Sequence, residues 1–470
     1  MVKLIQHINL GLILLFLLPA TTSWAYKITV ELDNYESDTL LFGYYYGDKQ
    51  YIKDTSVCDK RDKFVFKGKE DLDPGMYLII MRPRNEFVQI IVPENDQKIH
   101  FSLDYNNAFN SLRTKNSSEN QIFLEYLSFL QVSRIKADSL QKQLDRTEDE
   151  NERSNLQAGL DLINKEVRDN QQRIVQQHPE TFTALIINTN EQVEVPDFDG
   201  SVKEQEEQQY QYYVKHFFDR VDLKDDRLSY SSFLLPKVTR YIDQLIPQIP
   251  DSINKALDLI LGRAEGSEHN FKFLLVHHLN KYANSKYVGM DGVYVHLVDN
   301  YYTKGKAPWV SDENLLKMMK NSMTLKPLLI GKVAPDIRVY KQDKSPVSLH
   351  EIKSKYLALY FWAPDCGHCK KSLPKLKTLY PELQERGVEV MAVCSKLMDK
   401  EATCWEYIDE NQIDLWINAS DQFLKSRFKQ IYDVVKTPQL YLLDADKKII
   451  TKKIGIEQII GVLDTIESNQ

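Results

Sequence analysis

From Tyr26 to about Leu103, apolar and polar residues alternate in short runs: KITVEL, LLFGYYY, KFVFKG, MYLIIM and FVQIIV. A strand sends successive side chains to opposite faces, so a period of two makes each run a strand with one buried face. Gly47-Asp48, Asp73-Pro74-Gly75 and Pro93-Glu94-Asn95-Asp96 fall between the runs and supply turns. The pattern predicts a small antiparallel β-sandwich over residues 26–112.

Beyond Asn116 the period lengthens. Phe123, Leu127 and Leu130 recur at helical spacing, followed by Leu140, Leu144, Leu156, Leu160, Ile163, Val167 and Ile174 in a polar background. This predicts a helical hairpin with its turn at EDENERS, Glu148 to Ser154. A second helical stretch runs from about Val202 to Met323, punctuated by Pro236, Pro247, Pro250, Gly289 and Pro308, and the two together make a helical domain over residues 113–325.

A third pattern begins at residue 326. A strand in GKVAPDIRVY leads to the apolar strand YLALYF at Tyr356–Phe361, a helix to Glu385 and the strand VEVMAVCS. A helix near Asp399 to Asn411, the strand DLWINA, a helix near Asp421 to Gln430, the hairpin strands QLYLLD and KKIITKKIG, and a final helix complete it. Alternating β and α elements with a closing hairpin predict an α/β sheet covered by helices over residues 326–470.

The N-terminus fits none of these patterns. Lys3 and His7 precede the apolar run LGLILLFLL, Pro19 and the small-residue stretch ATTSWA. The run is short for a membrane span, and Ser23 and Ala25 fit a small-x-small cleavage site, so residues 1–25 are expected to be a cleaved signal peptide and the mature chain periplasmic or secreted. In such a compartment disulfides form and persist. With 60 Lys+Arg against 67 Asp+Glu, net −7, and neither a basic stripe nor a phosphate-binding glycine loop, the composition offers nucleic acid no surface. His216, His269, His277, His278 and His296 lie in the helical domain without HExxH spacing or a carboxylate placed to share an ion, so no metal site is expected.

The chemistry sits at Trp362, where WAPDCGHCKKSLPKL follows the apolar strand. Cys366 falls where a strand ends and a helix begins, so unpaired backbone N–H groups and the helix dipole stabilise a thiolate there. Cys369, one turn further in, is placed to attack a mixed disulfide on Cys366 and release the partner. Gly367 and His368 tune the pair, an imidazole beside the thiolate favouring the reduced form; Asp365 pushes the other way. Zinc would need about four ligands, and no second CxxC accompanies this one. A purely structural disulfide over so short a loop stabilises little. Thr437-Pro438, before QLYLLD, would in cis form turn a backbone edge toward the dithiol. Cys394 and Cys404 are either buried hydrophobes or a second disulfide, and Cys58 has no evident mate and is expected to be buried.

FWAPDCGHCKKSLP, TPQLYLLD and the leader GKVAPDI resemble the TlpA/ResA-like branch of the thioredoxin superfamily over roughly Pro327 to Gln470. The resemblance implies a thioredoxin fold and thiol-disulfide oxidoreductase chemistry, with Cys366 as nucleophile, Cys369 as resolving thiol and Pro438 as the cis proline beside them. It implies no cofactor beyond the redox-active Cys366–Cys369 disulfide, protein thiol or disulfide substrates, and a membrane-bound electron donor that keeps the protein a reductase. Phe361 and Trp362 are read as core and active-site packing. HFFDRVDLKDDRL, GMDGVYVHLVDNYYTKGKAPW and the N-terminal strands look like the uncharacterised modules preceding such domains in secreted proteins of Bacteroides-type bacteria. Two departures stand out: Tyr360 replaces the buried acid of thioredoxin, and Ser372 replaces the glutamate that ResA-like proteins often carry after the dithiol. Two rival readings accompany this one: a disulfide oxidase or isomerase, and a non-enzymatic binding or scaffold protein with a vestigial dithiol.

Overall fold

The computed structural model describes residues 24–59 and 63–468. The expected signal peptide, apart from its last two positions, lies outside the described residues. The chain divides into two compact units, the first ending at Val193 with two short later additions, the second holding most of the remainder.

The first unit contains strands β1 (Tyr26–Asp33), β2 (Thr39–Tyr46), β3 (Lys49–Val57), β4 (Lys63–Gly68), β5 (Gly75–Met81), β6 (Glu86–Val92) and β7 (Lys98–Asp104), the short helix α1 (Ala108–Ser111) and β8 (Arg113–Thr114). They form two four-stranded sheets, ordered β4-β1-β7-β8 and β3-β2-β5-β6. Alternate residues of both sheets, among them Ile28, Val30, Phe42, Phe66, Ile79, Ile90 and Phe101, meet in one core. One pairing departs from the antiparallel expectation: β1 and β7 run parallel, Lys27 opposite Lys98 and Asp33 opposite Asp104. Cys58 is half-buried rather than buried, with Sγ 3.5 Å from the Asp59 carbonyl oxygen.

Helices α2 (Ser118–Leu144) and α3 (Glu150–Gln177) form the expected hairpin, and α4 (Phe182–Asn190) follows. The turn comes earlier than EDENERS suggested. Asp149 accepts a hydrogen bond from the Glu152 N–H at 2.9 Å, an N-cap that starts α3 at Glu150.

The second unit opens with helices α5 (Val202–His216), α6 (Leu234–Arg240), α7 (Pro250–Ala264), α8 (Glu268–Ala283), α9 (Asp291–Leu297) and α10 (Asp312–Leu325). Pro250 stands in the first turn of α7, where its missing N–H costs nothing. Two of the histidines here have fixed hydrogen-bond partners: His278 is buried with Nδ1 2.8 Å from the Leu274 carbonyl oxygen, and His296 Nε2 lies 2.8 Å from Asp258.

The unit continues with β9 (Arg338–Tyr340), β10 (Pro346–Ser348), β11 (Tyr356–Trp362), α11 (Gly367–Glu385), β12 (Val388–Cys394), α12 (Ala402–Asn411), β13 (Ile417–Ser420), α13 (Phe428–Ile431), β14 (Gln439–Asp444), β15 (Ile449–Lys452) and α14 (Gln458–Ser468). The seven strands form one sheet in the order β10-β9-β13-β12-β11-β14-β15. β11 is an inner strand buried on both faces: Ala358, Tyr360 and Trp362 pack with α11 and α14 on one side, Leu357, Leu359 and Phe361 with Phe428 and Tyr432 on the other. That double burial is why YLALYF reads as a continuous apolar run rather than an alternating one. The helix expected over Asp421–Gln430 is reduced to α13. Asp421 accepts from the backbone N–H groups of Lys425 (3.0 Å) and Ser426 (2.7 Å), and Leu424 and Arg427 have positive φ, so a side-chain-capped turn displaces the helix.

Candidate active site

Register across the sheet builds the site. Trp362 pairs with Cys394 and Cys394 with Ser420 in parallel strands, while Phe361 opposes Gln439 of antiparallel β14. The segments leaving β11, β12 and β13 and the one entering β14 therefore share one sheet edge, the carboxyl edge of the parallel strands. Open α/β sheets place their reactive groups along such an edge.

Cys366 is the N-cap of α11, and its Sγ accepts the Cys369 N–H at 3.3 Å. A sulfur in that position takes the place of the Ser or Asp oxygen that ordinarily satisfies the first-turn amides. In its protonated form Sγ also donates to the Thr437 carbonyl oxygen at 3.1 Å. Burial opposes ionisation of Cys366, but hydrogen bonds with Cys369 and Thr437 and the backbone N–H groups of Cys369 and His368 outweigh it, holding the thiol below its ordinary value. Cys369 is buried, and that burial together with the neighbouring Cys366 sulfur pushes its thiol up to about 12. Both are free thiols. One chain thus presents two sulfurs with opposite shifts, the outer accessible and acidic, the inner enclosed and protonated.

The other expected site residues take the following places. The Thr437–Pro438 peptide bond is cis. Trp362 is fully buried under the dithiol's strand and stacks at a tilt on Tyr407, ring centres 5.5 Å apart. Gly367 is exposed, and a Cβ on it would meet open space, so packing does not demand glycine there. His368 is exposed and reaches Cys366 through its backbone N–H. Asp365, next to Cys366, is paired with the Lys396 ammonium, whose hydrogen bond holds its carboxyl below the usual carboxylate range.

Sequence reasoning missed Lys396 and the meeting of the two family departures. Lys396 leaves β12 two residues past Cys394, on the same sheet edge as Asp365. The departures at Tyr360 and Ser372 are in contact: Tyr360 Oη lies 2.7 Å from Ser372 Oγ, and Ser372 Oγ lies 2.9 Å from the His368 carbonyl oxygen and 3.2 Å from that of Cys369. Burial keeps the Tyr360 phenol protonated far above neutral pH. The dithiol helix is thus tied to β11 by two hydroxyls that carry no charge. Cys394 and Cys404, whose pairing the sequence left open, form a disulfide with Cα atoms 6.3 Å apart, linking β12 to α12.

The fold and this dithiol edge define a thioredoxin-like thiol-disulfide oxidoreductase. The AhpC/TSA family profile matches residues 330–452, and two domains of unknown function, DUF4369 and DUF5106, match residues 26–123 and 163–326. The thiol-disulfide oxidoreductase ResA of Bacillus cereus is 31% identical over 140 residues, covering 29% of this chain and 78% of that protein. By that relationship the chain belongs to the ResA family of thiol-disulfide oxidoreductases. Among solved structures, the thioredoxin domain of a thiol-disulfide oxidoreductase from Bacteroides vulgatus is 26% identical, covering 30% of this chain and 96% of that one, at a TM-score of 0.26. A thioredoxin-like protein from Bacteroides caccae is 19% identical over 58% of this chain and 99% of its own, at a TM-score of 0.44.

Proposed function

We propose that the protein is an extracytoplasmic disulfide reductase in which Cys366 attacks and Cys369 resolves. The Cys366 thiolate attacks one sulfur of a substrate disulfide, forming a mixed disulfide and expelling the other substrate sulfur as a thiolate, which takes up a proton. Cys369 then loses its proton and attacks Cys366 Sγ; the Cys366–Cys369 disulfide forms and the second substrate thiol leaves. The substrate gains two electrons and the dithiol gives up two. The Thr437 carbonyl oxygen lies 3.1 Å from Cys366 Sγ, and the segment it belongs to is the one along which an extended substrate would hydrogen-bond.

The observation that carries this reading is the contrast between an N-cap sulfur held below its ordinary value and an inner sulfur pushed up to about 12. The reducing direction follows the resemblance to the TlpA/ResA-like branch, and the redox potential of the pair decides between reductase and oxidase. The extracytoplasmic setting is supported by the N-terminal sequence, which reads as a cleaved signal peptide. Renewed turnover requires electrons for the Cys366–Cys369 disulfide, a task assigned to a membrane-bound thiol donor.

The test is redox equilibrium of the full chain against glutathione, with the pair's state read by mass after thiol alkylation. A potential near the thioredoxin value of about −270 mV is expected; one near the strongly oxidising value of about −120 mV contradicts the reductase assignment in favour of an oxidase.

A further inference from the structure

The chain carries a net charge of −7, yet the segments converging on Cys366 are basic. Lys396 and Lys400 follow β12, Lys425, Arg427 and Lys429 follow β13, and Lys436 immediately precedes Thr437. The acids on these segments are largely committed. Asp365 is paired with Lys396, Asp421 is turned onto backbone N–H groups, Asp433 lies 3.4 Å from Lys453, and Glu401 is buried against Trp405 and Ser420. Asp399 is the remaining acid. Lys400, Lys425, Arg427 and Lys436 are exposed on this edge, whereas among its acids only Asp365 and Asp399 are, and exposed cations raise the local concentration and encounter rate of an acidic substrate.

Apolar side chains stand among these cations. Met398 is 57% exposed, Phe423 60% and Val435 80%. Met398 and Gln422 bind each other through backbone and side chain, Met398 N to Gln422 O at 3.1 Å and Gln422 Nε2 to Met398 O at 3.3 Å, so the segments after β12 and β13 are laced together with Met398 and Phe423 on them. Val435 is two residues from Thr437, whose carbonyl oxygen meets Cys366 Sγ. Large apolar side chains this exposed add little to the core, and on segments that share the sheet edge of Cys366 they offer anchorage to a partner.

We propose that this edge selects extended polypeptide segments in which acidic residues flank the target cystine and an apolar side chain lies close by. The apolar residue covers Met398, Phe423 and Val435, while the carboxylates face the Lys400, Lys425 and Lys436 ammonium groups. This inference rests on the disulfide-exchange reading above and adds the substrate's chemistry to it.

The test uses the full-length reduced protein with three probes: two synthetic disulfide peptides, identical except for Asp/Glu or Lys flanks, and neutral bis(2-hydroxyethyl) disulfide. At low ionic strength the acidic peptide should be reduced about tenfold faster than the basic one. At about 1 M salt, where the screening length falls to about 3 Å, the two rates should converge. A double variant with Lys400→Glu and Lys436→Glu should lose the preference, and Phe423→Ser should slow the acidic peptide. Reduction of the neutral disulfide with equal rates for both peptides, or a faster basic peptide, overturns the proposal while leaving the exchange chemistry standing. Failure to reduce any of the three probes removes the exchange reading, and the substrate proposal falls with it.

Discussion

Replacing Cys366 with serine should lower the rate of insulin disulfide reduction by about 10³-fold or more, to the uncatalysed background. A serine hydroxyl does not ionise near neutral pH and forms no disulfide. Cys369 does not substitute for it, since burial pushes its thiol up to about 12, leaving it almost wholly protonated at pH 7. Cys369→Ser should behave in the opposite way. Cys366 still attacks, but the mixed disulfide is not resolved within the chain and accumulates as a covalent adduct, visible by mass. Native rates from Cys366→Ser would favour the binding or scaffold reading, in which the dithiol does no chemistry.

The second large effect concerns the hydroxyl pair behind the dithiol. A tyrosine whose phenol burial holds protonated and a serine bonded to helix carbonyls do not accept a proton at neutral pH, so neither serves Cys369 as a general base. Ser372→Glu places a carboxylate at the same position. Resolution of a preformed Cys366 mixed disulfide, followed in a single turnover, should accelerate on the order of 10²-fold below pH 8 and gain a pH dependence set by the new carboxylate. Ser372→Ala should keep the native pH profile. An unchanged profile in Ser372→Glu would mean that proton removal from Cys369 does not limit resolution.

Much of this site was legible because its signals are local. An apolar run followed by CxxC and a helical pattern places Cys366 at a helix start, and a cap needs only the next turn to form. The β-sandwich strands and the α2–α3 hairpin were equally readable, since periodicity reports which face is buried. What escaped depends on contacts distant in sequence or on competing local bonds. The parallel pairing of β1 with β7 joins Lys27 to Lys98, and strand direction leaves no trace in alternation. The Asp365–Lys396 ion pair and the Tyr360–Ser372 hydrogen bond follow from strand register and from the helix lying over β11. Cys394 and Cys404 could be joined only once their Cα separation was known. The missing helix at Asp421 shows the other failure: its carboxylate satisfies backbone N–H groups that a helix would have used, and apolar spacing does not register that competition.

The account turns on two thiols of one chain having opposite acidities, and the alkylation rate of each cysteine as a function of pH, resolved by peptide mass, measures that directly. Cys366 should react with a midpoint below the ordinary cysteine value, and Cys369 should stay unreactive until the pH approaches about 12. Midpoints for Cys366 at or above that ordinary value, or a shared midpoint for both cysteines, would contradict it.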